Sequence, residues 1–282
     1  STIKYPIHHS LYLSNFIMTI IQSVVIAIVE GITEFLPISS TGHMIITSTL
    51  FGIEKDAFTK LFEICIQLGA IASVVVLYWK KFFDFKNRTF YIKLVVAVLP
   101  ALVLGYLLAD KIDALLESPT TVAISILAGG IILLFVDRIF NKSVIQHEEE
   151  ISMLNALIIG FWQAIAMVPG VSRSAASIVG GMQQKLNRSI AAEFSFFLAV
   201  PTLCAATGYK LLKAFKQTPA ILQDYHNIIT LSIGSAVAFI VALLAIKFFI
   251  GFLQKHGFKL FGWYRIILGI VLLILIYSNG HL

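Results

Sequence analysis

The sequence predicts an all-α polytopic membrane protein arranged as an inverted-topology repeat, each half being a re-entrant helical hairpin followed by three transmembrane helices. Of its 282 residues, 58% are hydrophobic and only 13% are charged, with a mean hydropathy of +0.90. A soluble protein of this length needs more polar surface. Long apolar runs recur along the chain, and two further apolar stretches are each interrupted by a polar cluster.

Six long apolar runs each come close to the length of about 20 residues that a helix needs to cross a membrane. They cover residues 61–79, 89–108, 119–137, 193–212, 226–254 and 261–278. We therefore predict six spanning helices. The remaining segments leave no separate soluble domain, so residues 1–282 are expected to form a single membrane domain.

The other two apolar stretches, residues 16–52 and 152–184, contain Pro, Gly and several polar side chains. Irregular backbone at membrane depth is tolerated only where protein or water surrounds it. Each stretch is therefore predicted to enter the membrane and turn back as a helical hairpin.

The two halves of the chain are related. Each shows a broken hairpin followed by three spans, over about 16–137 and 152–278. Because each half then has an odd number of crossings, the second is expected to be inserted upside down relative to the first. Such repeats bring matching broken segments together near the membrane midplane. Three residue identities recur 132 positions apart: Pro37, Ser40 and Phe62 return as Pro169, Ser172 and Phe194.

Basic residues indicate the orientation, since they favour the cytoplasmic side. Placing the loop around Lys80 inside puts thirteen Lys and Arg residues on that face, Arg265 among them, and seven on the other, including Lys4. Both termini then lie outside; the first hairpin enters from outside and the second from inside. This loop bias also accounts for most of the formal charge of +6, so no nucleic-acid partner is expected.

Two acidic residues lie within the first hairpin. Ionisable groups are costly at membrane depth and usually mark a functional site. Glu30 and Glu34 are four residues apart, so on a helix their carboxylates share one face and can hold one divalent cation or one proton pair. The alternative is a structural pair neutralised by helix ends or by a neighbouring arginine.

A candidate helix start follows these acids. Pro37 ends the first helix, and Ser39, Ser40 and Thr41 can begin the next. Hydroxyl residues there are ordinary N-caps, but the free N–H groups of a helix start also suit a phosphate. His43 falls three residues after Ser40, so both can face the same way. The alternative is a histidine that is only packed and hydrogen-bonded. Because acids and hydroxyl residues lie next to it in the sequence, we favour a functional role.

The second polar cluster supplies an arginine. Arg173 presents a planar fork that matches phosphate oxygens, and Ser172 and Ser174 mark a second helix start that can face the first. The alternative for Arg173 is a salt bridge to the acids that merely joins the halves. Gln67 is a further intramembrane polar group, which we predict to contact the substrate. The alternative is that it only joins two helices by a hydrogen bond.

Three ordered motifs carry a family resemblance. They are Glu30-xxx-Glu34-Phe-Leu-Pro37-Ile-Ser-Ser-Thr-Gly-His43, Pro169-Gly-Val-Ser-Arg-Ser174 and Glu193-Phe-Ser-Phe-Phe-Leu-Ala-Val-Pro201. They resemble the undecaprenyl-diphosphate phosphatase family, also called bacitracin-resistance proteins, over essentially the whole chain. One departure is Ala175-Ala176-Ser177, where the family pattern has Gly-Ala-Thr.

The resemblance implies a multi-pass enzyme of the bacterial inner membrane that removes the terminal phosphate from undecaprenyl diphosphate. That reaction regenerates the lipid carrier used for peptidoglycan synthesis. The resemblance also implies dependence on a divalent cation, Mg²⁺ or Ca²⁺, and an active site open to the periplasmic side. The expected partners are the lipid substrate and the bilayer. A homodimer is a further assembly to test.

The residues and the resemblance agree on phosphoryl transfer, which needs charge neutralisation, an in-line nucleophile and a proton manager. We predict that Arg173 binds the diphosphate, Ser40 attacks phosphorus and His43 acts as base or acid. Glu30 and Glu34 would bind the cation or handle protons. A reversed assignment, with His43 or an activated water as nucleophile, stays open. Predicted substrate contacts are Ser39, Thr41, Ser172, Ser174, Arg173 and Gln67.

A transporter or flippase of a polyprenyl phosphate lipid is the alternative function. Inverted repeats with broken helices also characterise transporters, and a fold does not by itself determine function. A carrier for an anionic lipid would need Arg173 and the helix starts, but has less need of an aligned Ser40 and His43.

Overall fold

A computed structural model describes residues 18–116 and 118–279, and over these ranges the chain is helical and forms no β-strand. Lys4 and residues 16–17 of the predicted first hairpin lie outside the described residues. The first half contains α1 (Ile20–Thr33), α2 (Ser40–Leu50), α3 (Ala57–Leu77), α4 (Trp79–Phe82), α5 (Arg88–Leu107), α6 (Ala109–Leu116) and α7 (Pro119–Ile139).

Within the described residues, the second half follows the same order without a counterpart of α6. A 3-10 turn at Glu148–Glu150 precedes α8 (Met153–Ile165), α9 (Arg173–Gln183), α10 (Arg188–Gln217), α11 (Pro219–Gln223), α12 (Tyr225–His256) and α13 (Lys259–Asn279).

Six helices are long and apolar enough to cross a membrane, and each coincides with one of the six predicted runs. They are α3, α5, α7, α10, α12 and α13. The chain is thus a multi-pass membrane protein. α10 is longer than its apolar run because it continues to Gln217 through a segment that carries three lysines.

Both predicted hairpins form from short helices. α1 and α2 have 14 and 11 residues, and α8 and α9 have 13 and 11. At a rise of about 1.5 Å per residue, none reaches the thickness of about 30 Å of the hydrocarbon core. α1 packs against α2 and α8 packs against α9, so each pair turns back on itself instead of crossing. We call the two turns the hairpin tips, residues 34–39 and 166–172.

The hairpins also begin alike. α1 and α8 both start with a capping box, at Thr19 and Ser152, and α2 and α9 start at N-caps with positive φ, 71° at Ser39 and 77° at Ser172. Both pairs are 133 residues apart. Ser172 therefore corresponds to Ser39, and its predicted correspondence to Ser40 is wrong. α8 is one residue shorter than α1 and the second tip is one residue longer than the first, so the displacement is 133 residues, and not 132, at the start of both helices of the hairpin.

Each hairpin packs against a span from the other half of the chain. α1 lies along α12 and α8 lies along α5, while α3 pairs with α10 and α7 with α13. Gly31 and Gly160 permit the close approach, since a side chain at either would overlap backbone atoms of Ala238 or Ala97. This crossed packing is what an inverted repeat predicts. The inversion relative to the membrane stays a prediction.

One residue of the charge count lies elsewhere than predicted. Arg265 is inside α13 and fully buried, so it does not add to the charge of the cytoplasmic face on which it was counted. The physical reason is that α13 begins at Lys259, which carries Arg265 well into the helix.

Candidate active site

The two hairpin tips lie against each other. The Ser174 hydroxyl, in the first turn of α9, donates a hydrogen bond of 2.7 Å to the carbonyl oxygen of Leu36 in the first tip. The starts of α2 and α9 are thereby brought together, as the repeat predicts. Most polar side chains singled out in the sequence lie on or beside these tips.

Glu34 joins the two halves at this junction. Its Oε1 accepts a hydrogen bond of 2.9 Å from Arg173 Nη2, and its Oε2 accepts one of 2.6 Å from the Ser40 hydroxyl. The Glu34 and Arg173 side chains are only 5% and 12% exposed. The salt bridge considered as an alternative for Arg173 thus forms, and its carboxylate also holds the candidate nucleophile.

The salt bridge leaves part of the Arg173 guanidinium available. Nη1 donates to the carbonyl oxygen and the hydroxyl of Ser195, at 2.9 and 3.3 Å, and Nη2 donates to Glu34. The buried Nε has no hydrogen-bond partner among the residues the structure describes. Buried donors are normally paired, so a phosphate oxygen would complete the bonding of this side chain.

Glu30 is a buried acid whose carboxylate oxygens are unpaired among the described residues. It lies one helical turn before Glu34, is fully buried, and neither carboxylate oxygen has a hydrogen-bond partner within residues 18–116 and 118–279. Burying a carboxylate is costly unless it is paired or neutralised, so a cation or a proton fits this position. No cluster of three or more metal-ligating side chains occurs in the described ranges. A cation at Glu30 would therefore take further ligands from substrate oxygens and water, as Mg²⁺ commonly does.

His43 is held by two hydrogen bonds. Its Nδ1 lies 2.7 Å from the Ser39 carbonyl oxygen and its Nε2 lies 2.6 Å from the Tyr264 hydroxyl. Because a carbonyl only accepts, Nδ1 carries the proton and Nε2 accepts from the tyrosine. His43 and Ser40, which are predicted to face the same way, form no hydrogen bond with each other: Ser40 bonds Glu34 instead. The Ser40 proton points to Glu34, so Glu34 is the base that the geometry offers.

Three of the predicted substrate-binding serines hold the tips in shape. The hydroxyls of Ser39 and Ser172 cap α2 and α9 by accepting from backbone N–H groups at 3.4 and 3.2 Å, and that of Ser174 ties the tips together. Positive φ is uncommon for serine, and such backbone tends to occur at functional sites. The other first-turn N–H groups of each helix are the donors that an anion can use.

Thr41 and Gln67 lie apart from the Glu34–Arg173 pair, in the wall of a cavity of about 670 Å³. Apolar residues of α2, α7 and α13 form one side of it, and Lys55 and Lys60 contribute charge. A volume of this order suits a ligand. Because Thr41 follows Ser40 directly, the cavity runs alongside the cluster at the tips.

Sequence reasoning missed three residues of the site. Ser195, which supports Arg173, lies inside the third family motif. Tyr264 and Arg265 come from the last span, and their contacts with His43 and with the hairpin tips depend on how α13 packs. The available signal was the charge of Arg265 within an apolar run, since an intramembrane arginine is a functional candidate by default.

Comparison with known proteins agrees with this geometry. The family model described as bacitracin resistance protein BacA matches residues 23–271, a range that includes every site residue named above. A protein from Flavobacterium psychrophilum is 63% identical over 258 residues, covering 92% of this chain and 96% of the relative.

More distant relatives cover the chain equally well. One from Bdellovibrio bacteriovorus is 51% identical, with 94% of this chain and 98% of the relative covered. One from Campylobacter jejuni is 45% identical, with 92% and 95% covered. All three relatives carry the name undecaprenyl-diphosphatase. The chain therefore belongs to the BacA family of bacitracin resistance proteins.

Proposed function

We propose that this protein hydrolyses undecaprenyl diphosphate to undecaprenyl phosphate and inorganic phosphate in the bacterial inner membrane, thereby recycling the lipid carrier for cell-wall synthesis. The observation that carries the proposal is the buried chain of contacts from Ser40 through Glu34 to Arg173. It places a hydroxyl, a base and a phosphate-binding cation together at two helix starts. The name shared by the relatives supports the choice of substrate.

Binding of the diphosphate uses the donors that the protein leaves unpaired. Arg173 Nε and the first-turn N–H groups of α2 and α9 converge on the tips, where a phosphate group can accept from them. In a buried site such donors stabilise developing charge more strongly than they would in water.

Transfer begins when Ser40 Oγ attacks the terminal phosphorus and its proton passes to Glu34 Oε2, which already accepts that hydrogen bond. The bond between phosphorus and the bridging oxygen breaks, and the leaving undecaprenyl phosphate takes the proton from Glu34. A water molecule then attacks the phosphoserine, gives its proton through Glu34 to the departing Ser40 oxygen, and releases phosphate.

His43 is the second proton-handling group of the proposal. It lies one turn beyond Ser40 on α2 and is oriented by Tyr264, so it can serve the phosphate side of the site as acid or base. The reversed assignment predicts label on His43, or no label at all when water attacks directly.

A divalent cation, Mg²⁺ or Ca²⁺, would be held by Glu30, with Glu34 beside it, because the Glu30 oxygens are otherwise unpaired. When bound, it would neutralise charge on the phosphate oxygens.

The site is proposed to open to the periplasm. The cavity beside Thr41 is lined by Lys55 and Lys60, which belong to the face assigned outside by the charge bias. The variant Lys55→Cys should react with a membrane-impermeant thiol reagent in intact cells, whereas Lys142→Cys should not. The homodimer stays a prediction, which the mass of the purified protein in detergent tests.

Phosphate release from purified protein tests the activity. Protein in detergent is given undecaprenyl diphosphate and a divalent cation, with no membrane gradient present. We expect one inorganic phosphate for each undecaprenyl diphosphate consumed, and release slower by several orders of magnitude from Ser40→Ala. A carrier would release no phosphate under these conditions, so that result would favour the flippase alternative.

A further inference from the structure

Arg265 uses all of its donors on backbone carbonyl groups. The side chain is fully buried, and an arginine has five N–H donors. Nε donates to Ile126 at 3.1 Å, Nη1 to Pro37 at 3.2 Å and Val171 at 2.9 Å, and Nη2 to Ser125 at 3.1 Å and Gly170 at 2.8 Å. A guanidinium that is saturated in this way has no donor left for a substrate.

These carbonyls belong to three separate parts of the fold. Pro37 lies in the first hairpin tip, Gly170 and Val171 in the second, and the remaining two acceptors in α7. Nη1 alone bonds one carbonyl from each tip. Because the guanidinium is planar and rigid, it determines the separation of the two tips. The first tip leads to Ser40 and the second leads to Arg173.

The charge of Arg265 has no acidic counterpart. Among the described residues no carboxylate forms a salt bridge with it, whereas Arg173 is paired with Glu34. The carbonyl dipoles offset part of the cost of burial, yet a positive charge remains directly behind the tips. Charge placed in a low-dielectric environment acts over several ångströms, so it also favours an anion on the far side.

Two consecutive glycines of α7 make room for this side chain. A Cβ added at Gly129 would overlap Arg265 Nη2, and one at Gly130 would lie 2.8 Å from Arg265 Cβ. The space that the guanidinium occupies is therefore formed by α7 as well as by α13, the helix that carries Arg265. It can be disturbed without changing any side chain that faces the substrate.

We propose that Arg265 is a positioning residue for the phosphoryl transfer: by bonding both hairpin tips, its guanidinium aligns Ser40 and Glu34 with Arg173. This inference rests on the proposed function. It predicts that disturbing Arg265 lowers kcat much more than it raises KM. Attack by Ser40 depends on the exact alignment of the tips, whereas the cavity wall at Thr41 and Gln67 is not altered and still binds the substrate.

The test compares Arg265→Lys, Gly129→Ala and their double variant with wild type, using phosphate release per monodisperse, folded molecule in detergent. Lysine keeps the charge but cannot donate to five carbonyls. We expect kcat to fall about 10²-fold in each single variant, as for a misplacement of about 1 Å, with KM within about threefold. Gly251→Ala is the matched control, since a Cβ there meets no atom within 4 Å, and it should behave like wild type.

The double variant separates positioning from general destabilisation. Lysine ends near the position of Arg265 Cζ, and its flexible amine can move away from the new methyl group, so Gly129→Ala should cost little more, about twofold, in the Arg265→Lys background. Additive losses, or normal kcat in the folded single variants, would overturn the inference. If Arg265→Lys does not fold, kcat and KM of Gly129→Ala alone decide it. An inactive wild-type protein would instead count against the proposed function.

Discussion

Replacing Glu34 by glutamine probes the centre of the site, because Glu34 contacts both Ser40 and Arg173. The carboxylate accepts from both neighbours, through Oε2 and Oε1 respectively. A glutamine amide has one accepting oxygen and one donating nitrogen. If the oxygen faces Arg173, the nitrogen faces Ser40 and cannot take its proton. If the oxygen faces Ser40, two donors meet at Arg173.

Two magnitudes follow from this geometry. Removing one charge of a buried ion pair costs about 3–5 kcal/mol in the free energy of unfolding, and we expect about 3 kcal/mol because the amide keeps one hydrogen bond. A general base contributes about 10²–10⁴-fold to a rate, equivalent to about 3–5 kcal/mol in the activation barrier. The fall in turnover of Glu34→Gln should therefore be larger than the fall expected from the fraction of protein that unfolds.

The assay measures phosphate release from undecaprenyl diphosphate at saturating substrate, together with thermal unfolding in the same detergent. Glu149→Gln is the matched control. It makes the same chemical change at a side chain that is 69% exposed, so turnover should stay normal and stability should change by no more than about 0.5 kcal/mol. Glu34→Asp keeps the charge but is one methylene shorter, and should be intermediate in turnover.

The result that would refute this reasoning is a folded Glu34→Gln protein whose turnover lies within about threefold of wild type, since a lost general base costs at least about 10²-fold. The Ser40 proton would then go to another acceptor, and His43 would become the leading candidate. If Glu34 acts as the base and not as a ligand, the concentration of metal giving half activity should be unchanged in Glu34→Gln. A large increase would instead assign Glu34 to the cation.

Three further predictions use the same assay. Arg173→Lys keeps the charge but loses Nε and the fork, so activity should fall about tenfold or more, by about 1.5–3 kcal/mol; near-normal turnover would reduce Arg173 to an electrostatic support. Glu30→Gln should raise the metal concentration needed for half activity in a Mg²⁺ titration, and an unchanged titration would exclude Glu30 as a ligand. Ser40→Ala should lower turnover by several orders of magnitude, whereas Ser39→Ala should cost about 1 kcal/mol in stability as a lost N-cap. Rapid acid quench with labelled diphosphate should leave label on Ser40, and label on His43 would contradict the serine assignment.

Much of the architecture could be predicted from the chain alone because it depends on local chemistry. A run of apolar residues must be covered by lipid or protein wherever it lies, so the six spans appear in the hydropathy pattern. Pro and Gly favour breaks in helices through their own backbone geometry, and the hairpin tips contain Pro37 and Pro169-Gly170, although Pro100 and Pro201 lie inside α5 and α10. The polar residues in these segments indicated where chemistry occurs, because buried charge is too costly to be incidental.

The partners of those polar groups depended on tertiary packing. Ser40 can reach either His43 or Glu34 by spacing alone; the position of the first tip gives it Glu34, and Tyr264 from α13 engages His43. The 132-residue displacement gave the wrong partner for Ser172, because only the structure shows which of the adjacent serines is the N-cap of α2.

Sequence by itself determined the membrane class, the spans, the two hairpins and the set of acids, hydroxyls and arginine at their tips. Only the tertiary structure decided that Glu34 lies between Ser40 and Arg173, and that Arg265 bonds both tips instead of contributing to the charge of the cytoplasmic face. The physical reason is that helix formation and membrane insertion follow from neighbouring residues. Contacts between residues more than a hundred positions apart follow from how the finished helices pack and rotate against one another.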